Sequence, residues 1–356
     1  MQILTSKIGE KKNYFMLDIS KFFCAILIIA AHFSAENGKF PTVVDYLFSV
    51  YIFAVPFFFT CSGFLFFNNL NRFETKEEKF GYFKRYQKRL WIMYGCWSLV
   101  YFAYVVFSWI KKGVFGVPQF LKYLHMAVTI QTYSTIWFLP ALAIGIAVTF
   151  YLVNKFSKKS ILLIVSFLYL FSMLGASYNF ILEGTFLEGF FDLYLLIFKS
   201  SRNGLFNAVP FIFMGYLCTK ETKSEETKLA FKDILLSILF VALTIVECVI
   251  LKFKFDVSGG DVVLFLVPSS YYVVKSCVSI KLKENKIWLW MRNLSLLMFL
   301  SQRIFLTILI DEIPIFKHFV TWNSYFGLMV ILTFIIAFSY YFIKLSKKIK
   351  FLKYFV

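Results

Sequence analysis

Stretches of apolar residues long enough to cross a bilayer recur along the whole chain, parted by short polar connections. In hydrocarbon every backbone N–H and C=O must find its partner within the protein, so such stretches fold as helices or as closed barrels. The runs are continuous, about 17 to 22 residues each, and lack the alternation of barrel strands. Ten are placed, at 15–34, 46–67, 89–110, 135–155, 159–176, 204–219, 231–251, 260–278, 291–311 and 323–344. Hydrophobic residues make up 60% of the 356, a load that excludes a soluble domain. The expected fold class is all-α: a polytopic transmembrane bundle of about ten helices, forming a single integral membrane domain over 1–356. No internal repeat, linker or separately folding loop interrupts it. Inverted halves with matching broken helices, the mark of many secondary transporters, are not apparent.

Lysine and arginine set the orientation. When alternate connections are assigned to one side, that side gathers about three times as many basic residues as the other, and cytoplasmic loops are the basic ones. Both termini are thus expected in the cytoplasm, with the connection 68–89, Lys155, Lys158 and Lys159, the connections 220–232 and 281–292, and the tail from Lys344 to Lys353. The net charge of +18 follows from this pattern. Divided among loops, it is no nucleic-acid footprint, and the partner it implies is the lipid bilayer. Lys7, Lys11 and Lys12 ahead of the first run imitate a signal peptide, but the run holds Asp18 and Lys21 and no small-x-small site follows it. The run is expected to stay as helix one. Six cysteines lie scattered without CxxC pairs or His–Cys clusters, so they read as packing residues and no metal site is expected.

Lys21 and His32 stand inside that first run. A charge at a helix centre costs about 3 kcal/mol on insertion, which makes intramembrane ionisable groups functional candidates. Eleven helical positions return to within about 20° of the starting azimuth with a rise of about 16 Å, so the two side chains share a face at two depths. Asp18, three residues before Lys21, meets it on that face and lowers the cost of burying either. Glu36, four residues after His32, is placed to hold the imidazole in one tautomer. The plain alternatives are a snorkelling Lys21 and an interfacial His32 facing headgroups.

Further motifs follow in order: FFFTCSGFLFF at 57–67, FKRYQKRLWIMY at 83–94, IWFLPAL at 136–142, RNGLFNAVPFIFMGYL at 202–217 and RNLSLLMFLSQRIF at 292–305. With Leu17, Asp18, Lys21 and His32, this order resembles the acyltransferase-3 family of bacterial membrane acyltransferases, over nearly the whole chain. The resemblance implies a multi-pass protein of the bacterial inner membrane. It would transfer an acyl group, most often acetyl from acetyl-CoA, to a hydroxyl of an envelope glycan or lipid-linked sugar. Acetyl-CoA is then a donor substrate rather than a permanently bound cofactor.

Such a transfer needs a base for the hydroxyl proton, a cation or donor for the tetrahedral oxyanion, and a positive site for the CoA phosphates. His32 suits the first task, with Glu36 as its orienter. Lys84, Arg85, Lys88 and Arg89 open helix three on the cytoplasmic side, where guanidinium forks match phosphates; topology anchoring explains the same residues. Lys21 would meet the pantetheine or pyrophosphate of an inserted CoA. Trp137 is placed to stack on a sugar, and Arg202 and Asn203 to bind an anionic or sugar acceptor, although interfacial anchoring also accounts for Trp137 and Arg202. Ser62 before Gly63 reads as close helix packing rather than a nucleophile. One position departs from the family pattern: helix nine carries Ser295, Phe299 and Gln302 where relatives show Ser, Tyr and His. Gln302 can bond an acceptor but cannot exchange a proton near neutral pH. His125 and His318 fall in outer connections and read as surface residues. An exporter of a glycan or lipid-linked sugar stays open as an alternative, as does a membrane module for amino-acid uptake beside a racemase, although no soluble racemase domain is expected in this chain.

Overall fold

The computed structural model describes residues 12–37, 40, 49–129, 133–221, 227–257 and 262–356. Lys7 and Lys11, the starts of the runs at 46 and 260, and part of the 220–232 connection lie outside the described residues. Among the described residues there is no strand. The helices in the first half are α1 (Phe15–Asn37), α2 (Ala54–Leu70), α3 (Lys76–Lys111), α4 (Val117–Thr129), α5 (Phe138–Lys155) and α6 (Lys158–Leu174). The second half adds α7 (Phe186–Phe198), α8 (Val209–Glu221), α9 (Thr227–Phe255), α10 (Leu266–Ser279), α11 (Lys286–Thr307), α12 (Pro314–Trp322) and α13 (Ser324–Ser346).

Proline places many of these starts. Pro56, Pro118, Pro140, Pro210, Pro268 and Pro314 each sit in the first turn of a helix, where the missing N–H has no intrahelical partner to lose. Before Pro210 the chain widens into a π turn, Gly204–Ala208. The N-terminus of α3 is a capping box: Thr75 Oγ1 accepts from Glu78 N at 3.1 Å and Glu78 Oε2 accepts from Thr75 N at 3.2 Å.

Among the described residues, seven segments are long and apolar enough to cross a membrane: Phe15–Ala35, Val50–Leu70, Lys76–Lys111, Val117–Lys155, Phe231–Phe255, Lys286–Glu312 and Ser324–Ser346. Three of the ten expected runs fall on shorter helices, with 17 residues in α6, 13 in α8 and 14 in α10. All three fall short of the roughly 20 residues typical of a straight crossing and are not among those seven. Conversely α3, at 36 residues, starts well before its expected span. Its length of about 54 Å exceeds the roughly 30 Å of hydrocarbon, so the basic residues near its start ride on a helix that projects from the bilayer. Phe23, Leu99, Leu163, Phe231, Phe253 and Met329 are exposed on the outside of the bundle, as lipid contact requires.

Close backbone approach joins α2 to α8. A Cβ at Gly63 would stand 2.5 Å from the Ile212 carbonyl oxygen, and one at Gly215 2.5 Å from the Phe64 amide nitrogen. Such contacts between small residues are how helices associate where hydrocarbon gives no hydrophobic drive. A second join is polar. Glu247 of α9 is buried and accepts hydrogen bonds from Leu264 N at 2.6 Å, Phe265 N at 2.9 Å and the Tyr178 hydroxyl. Burial and the Glu247 carboxylate push the Tyr178 hydroxyl up, so it remains the donor. Replacing Glu247 with Ala leaves two backbone N–H groups and the phenol without their acceptor. The expected cost is about 3 kcal/mol, read as a lowered melting temperature of the purified protein, with Glu247→Gln falling between.

Candidate active site

The residues of α1 that looked costly are all engaged. Near the start of α1 the buried Asp18 carboxylate lies between two cations, Lys21 Nζ at 2.9 Å and Arg292 of α11, whose Nη2 is at 2.6 Å and Nε at 2.7 Å. Arg292 also donates to Asn13 Oδ1 at 3.1 Å and covers the Phe15 ring. Both guanidinium N–H groups converge on Oδ2, which leaves Oδ1 to Lys21, and such charge-assisted hydrogen bonds are the strong kind. Arg292 was not singled out in the sequence; its signal was an arginine at the entry of an apolar run, the same signal that marked Arg202.

About 16 Å along α1, His32 Nδ1 lies 3.1 Å from Gln302 Oε1. The other end of that amide, Gln302 Nε2, donates to the Phe299 carbonyl at 3.0 Å. Turning the amide over would set two oxygens against one another at Phe299, so the oxygen faces the imidazole and Nδ1 carries the proton. Nε2 of His32 then keeps its lone pair. Gln302 thus orients the imidazole through Nδ1; the side chain of Glu36, the orienter that the spacing suggested, lies outside the described residues.

His32 opens onto a cavity of about 250 Å³. Ile28, Val55 and Phe299 form its apolar wall; Tyr51, Ser134, Thr135, Trp137, Ser200 and Arg202 supply its polar and aromatic groups. A side recess of about 40 Å³ shares Tyr51, Val55, Trp137 and Arg202 and reaches Asn207. The wall is positioned from several elements. Phe59 of α2 stacks against Phe138 at 4.7 Å and meets the edge of Trp137 at 5.9 Å. Tyr101 of α3 donates to the Leu300 carbonyl at 2.7 Å and stacks on Tyr133 at 4.7 Å, which fixes the turn carrying Ser134 and Thr135. Asn203 caps the π turn by accepting from Leu205 N and Phe206 N at 3.0 Å and donates to Tyr194. It shapes the bend that presents Arg202 rather than lining the cavity.

The sequence-derived candidates therefore separate into two groups. His32, Trp137 and Arg202 meet at the cavity, with Gln302 behind the imidazole. Lys21, Arg85, Lys88 and Arg89 belong to the other end. Lys84 covers the Phe80 ring, Lys88 is exposed, and Arg89 donates to the Val356 carbonyl at 3.1 Å. Arg72, Arg85 and Arg89 all lie within electrostatic range of Tyr82, so the arginines gather around one ring. Cys61, beside Lys21 and Asp18, is also in range of Tyr86, which in turn lies in range of Arg89. Tyr51, Ser134, Thr135 and Ser200 were missed because hydroxyl residues near run boundaries carry no distinctive spacing.

A helical membrane protein with an imidazole held in one tautomer above a small cationic cavity fits the acyltransferase class. The chain belongs to the acyltransferase-3 family, whose model, described as an acyltransferase domain, matches residues 15–342. An amino-acid racemase of Enterococcus faecalis is 32% identical over 209 residues, which cover 58% of this chain and 28% of that protein. A serine/alanine racemase of Enterococcus gallinarum is 25% identical over 214 residues, covering 59% and 30%. The chain thus spans less than a third of the length of these curated relatives. No solved structure matches it.

Proposed function

We propose that the protein transfers an acyl group, acetyl in the first instance, from acyl-CoA to a hydroxyl of an envelope carbohydrate or lipid-linked sugar. In this reading it crosses the bacterial inner membrane ten times with both termini in the cytoplasm, and the arginines of α3 face the donor pool. The observation that carries the reading is the Gln302 contact, which leaves Nε2 of His32 as a base in a cavity that also holds Arg202. Nε2 takes the proton of the acceptor hydroxyl as its oxygen bonds to the thioester carbonyl carbon. Arg202 stabilises the oxyanion of the tetrahedral intermediate. When the C–S bond breaks, the CoA thiolate leaves and takes the proton from the imidazolium, so His32 ends neutral. Trp137 offers the acceptor ring a face to stack on, while Lys21, Arg85, Lys88 and Arg89 attract the phosphates of the donor.

Acetyl-labelled CoA incubated with membranes carrying the protein is expected to place label on carbohydrate as an ester released by mild alkali. Labelled donor consumed without any such ester, or no consumption at all, would exclude this reading. A second reading takes its support from the racemase names of the relatives and from the size of the cavity, which suits a free amino acid with its carboxylate on Arg202. It predicts uptake of labelled serine or alanine into proteoliposomes with no need of CoA. A glycan exporter would instead lose surface polysaccharide, with unchanged ester content, when His32 is replaced.

A further inference from the structure

A second, larger cavity of about 370 Å³ opens at the other end of the bundle, lined by Asn293 of α11, Ile343 and Ser346 of α13, Lys347 just past its end, and Lys353 and Val356. Its floor is the short helix Lys350–Phe355, which folds back against α3: Trp97 Nε1 donates to the Phe355 carbonyl at 3.2 Å and Arg89 to the Val356 carbonyl at 3.1 Å. The cavity therefore collects Lys347 and Lys353, an amide and a hydroxyl, with Arg89 held beside it. Among the described residues that line it, no side chain is acidic. Two ammonium groups flanked by neutral hydrogen-bonding side chains are a receptor for phosphate oxygens.

Its position relative to His32 adds a second argument. The helix α11 borders both cavities, through Asn293 below and Phe299 above, six residues or about 9 Å of rise apart. On α3 the same ascent runs from Arg89 through Trp97 to Tyr101, bonded in turn to Val356, Phe355 and Leu300. Trp97 and Phe355, 5.7 Å apart and both buried, stand between the two levels. The pantetheine arm of coenzyme A is longer than this rise, so a donor whose phosphates sit at Lys347 and Lys353 would extend along α11 towards the His32 cavity once that aromatic pair gives way.

We infer that the Lys347–Lys353 cavity is the seat of the acyl donor's phosphate groups. The inference rests on the acyl-CoA reading given above. It differs from that reading in assigning the phosphates to the end of α13 and the short helix after it, rather than to the opening turns of α3 alone.

The test measures equilibrium binding of acetyl-CoA to the purified full chain in detergent or nanodiscs. Wild type is compared with the double variant Lys347→Ala with Lys353→Ala and with its charge-retaining counterpart, Lys347→Arg with Lys353→Arg. The expected result is affinity at least tenfold weaker in the alanine pair and retained in the arginine pair, with the wild-type affinity falling as salt rises. Wild-type binding matched by the alanine pair would overturn the site while leaving the acyl-CoA reading intact. Equal loss in both pairs would also overturn it, because the lysines would then be needed for packing rather than for charge. No binding of acetyl-CoA to the wild type would overturn both the site and the donor assignment.

Discussion

Replacing His32 with Ala is expected to lower acyl transfer by about a thousandfold, the middle of the range for removal of a positioned general base. Donor binding should survive, because none of the basic groups assigned to it lines the His32 cavity, and Lys21 stands about 16 Å away along α1. The measurement is single-turnover transfer from labelled acetyl-CoA alongside equilibrium binding of the same donor. Transfer retained within tenfold of wild type would remove His32 from the chemistry. A companion variant separates the base from its support. Gln302→Leu keeps the imidazole but removes the Nδ1 partner, so both tautomers become populated and the ring is free to turn. Transfer should fall about 10- to 100-fold, as is found when a partner that orients a functional histidine is lost. Gln302→Glu keeps an acceptor at Nδ1 and should retain more activity than Leu. The reverse order would mean that Gln302 serves only packing.

The second large effect is structural. Adding one methyl at Gly215 would drive a Cβ into the backbone of Thr60 and Phe64, atoms that cannot turn aside as a flexible side chain would. The helices α2 and α8 would have to separate along their closest line of approach. Overpacking of an ordinary core costs about 1 to 3 kcal/mol, and a backbone-on-backbone clash belongs at or beyond the top of that range. Gly215→Ala is therefore expected to lower the melting temperature markedly or to abolish a monodisperse peak on size exclusion, with activity lost in step. Gly95 of α3 is the control, since a Cβ there meets nothing within 4 Å. Gly95→Ala should leave stability unchanged or slightly raised, because alanine is the better helix former. Equal stability of Gly215→Ala and wild type would mean that α2 and α8 are less closely joined than described.

How much of this was legible beforehand depends on whether a signal was local. Helical periodicity and hydropathy are local, so the all-helical bundle and the polar face of α1 could be read directly, and the small-residue pair of Ser62 and Gly63 pointed to close helix contact before Gly215 was known to face it. Span count was less legible. Apolar composition at 204–219 and 260–278 does not reveal that the helices there are short, because Asn203, Pro210 and the turn anchored by Glu247 decide where they begin. The partner of His32 was harder still. Glu36 was inferred from a spacing of four, whereas Gln302 is 270 residues away and became visible only when α1 and α11 were brought side by side. Read alone, Gln302 looked like the loss of a histidine. In place it is an acceptor of neutral charge, which orients the imidazole without adding a second titrating group. The cavity at Lys347 and Lys353 had no sequence signal beyond a basic tail, which membrane topology already accounted for.

The clasp on Asp18 has a consequence for how the chain is made. Its two cations arrive at very different times: Lys21 emerges with Asp18 in the same helical turn, but Arg292 follows 274 residues later. Until then the first helix must reside in the membrane as a self-neutralised pair, and only the arrival of α11 adds the second cation and commits both helices to one another. The contact that completes the clasp on Asp18 and the one that orients His32 both join the beginning of the chain to the same late helix. Such closures are slow, since their partners lie 270 and 274 residues apart in sequence. A nascent chain halted before α11 would hold neither the second cation on Asp18 nor the Gln302 partner of His32.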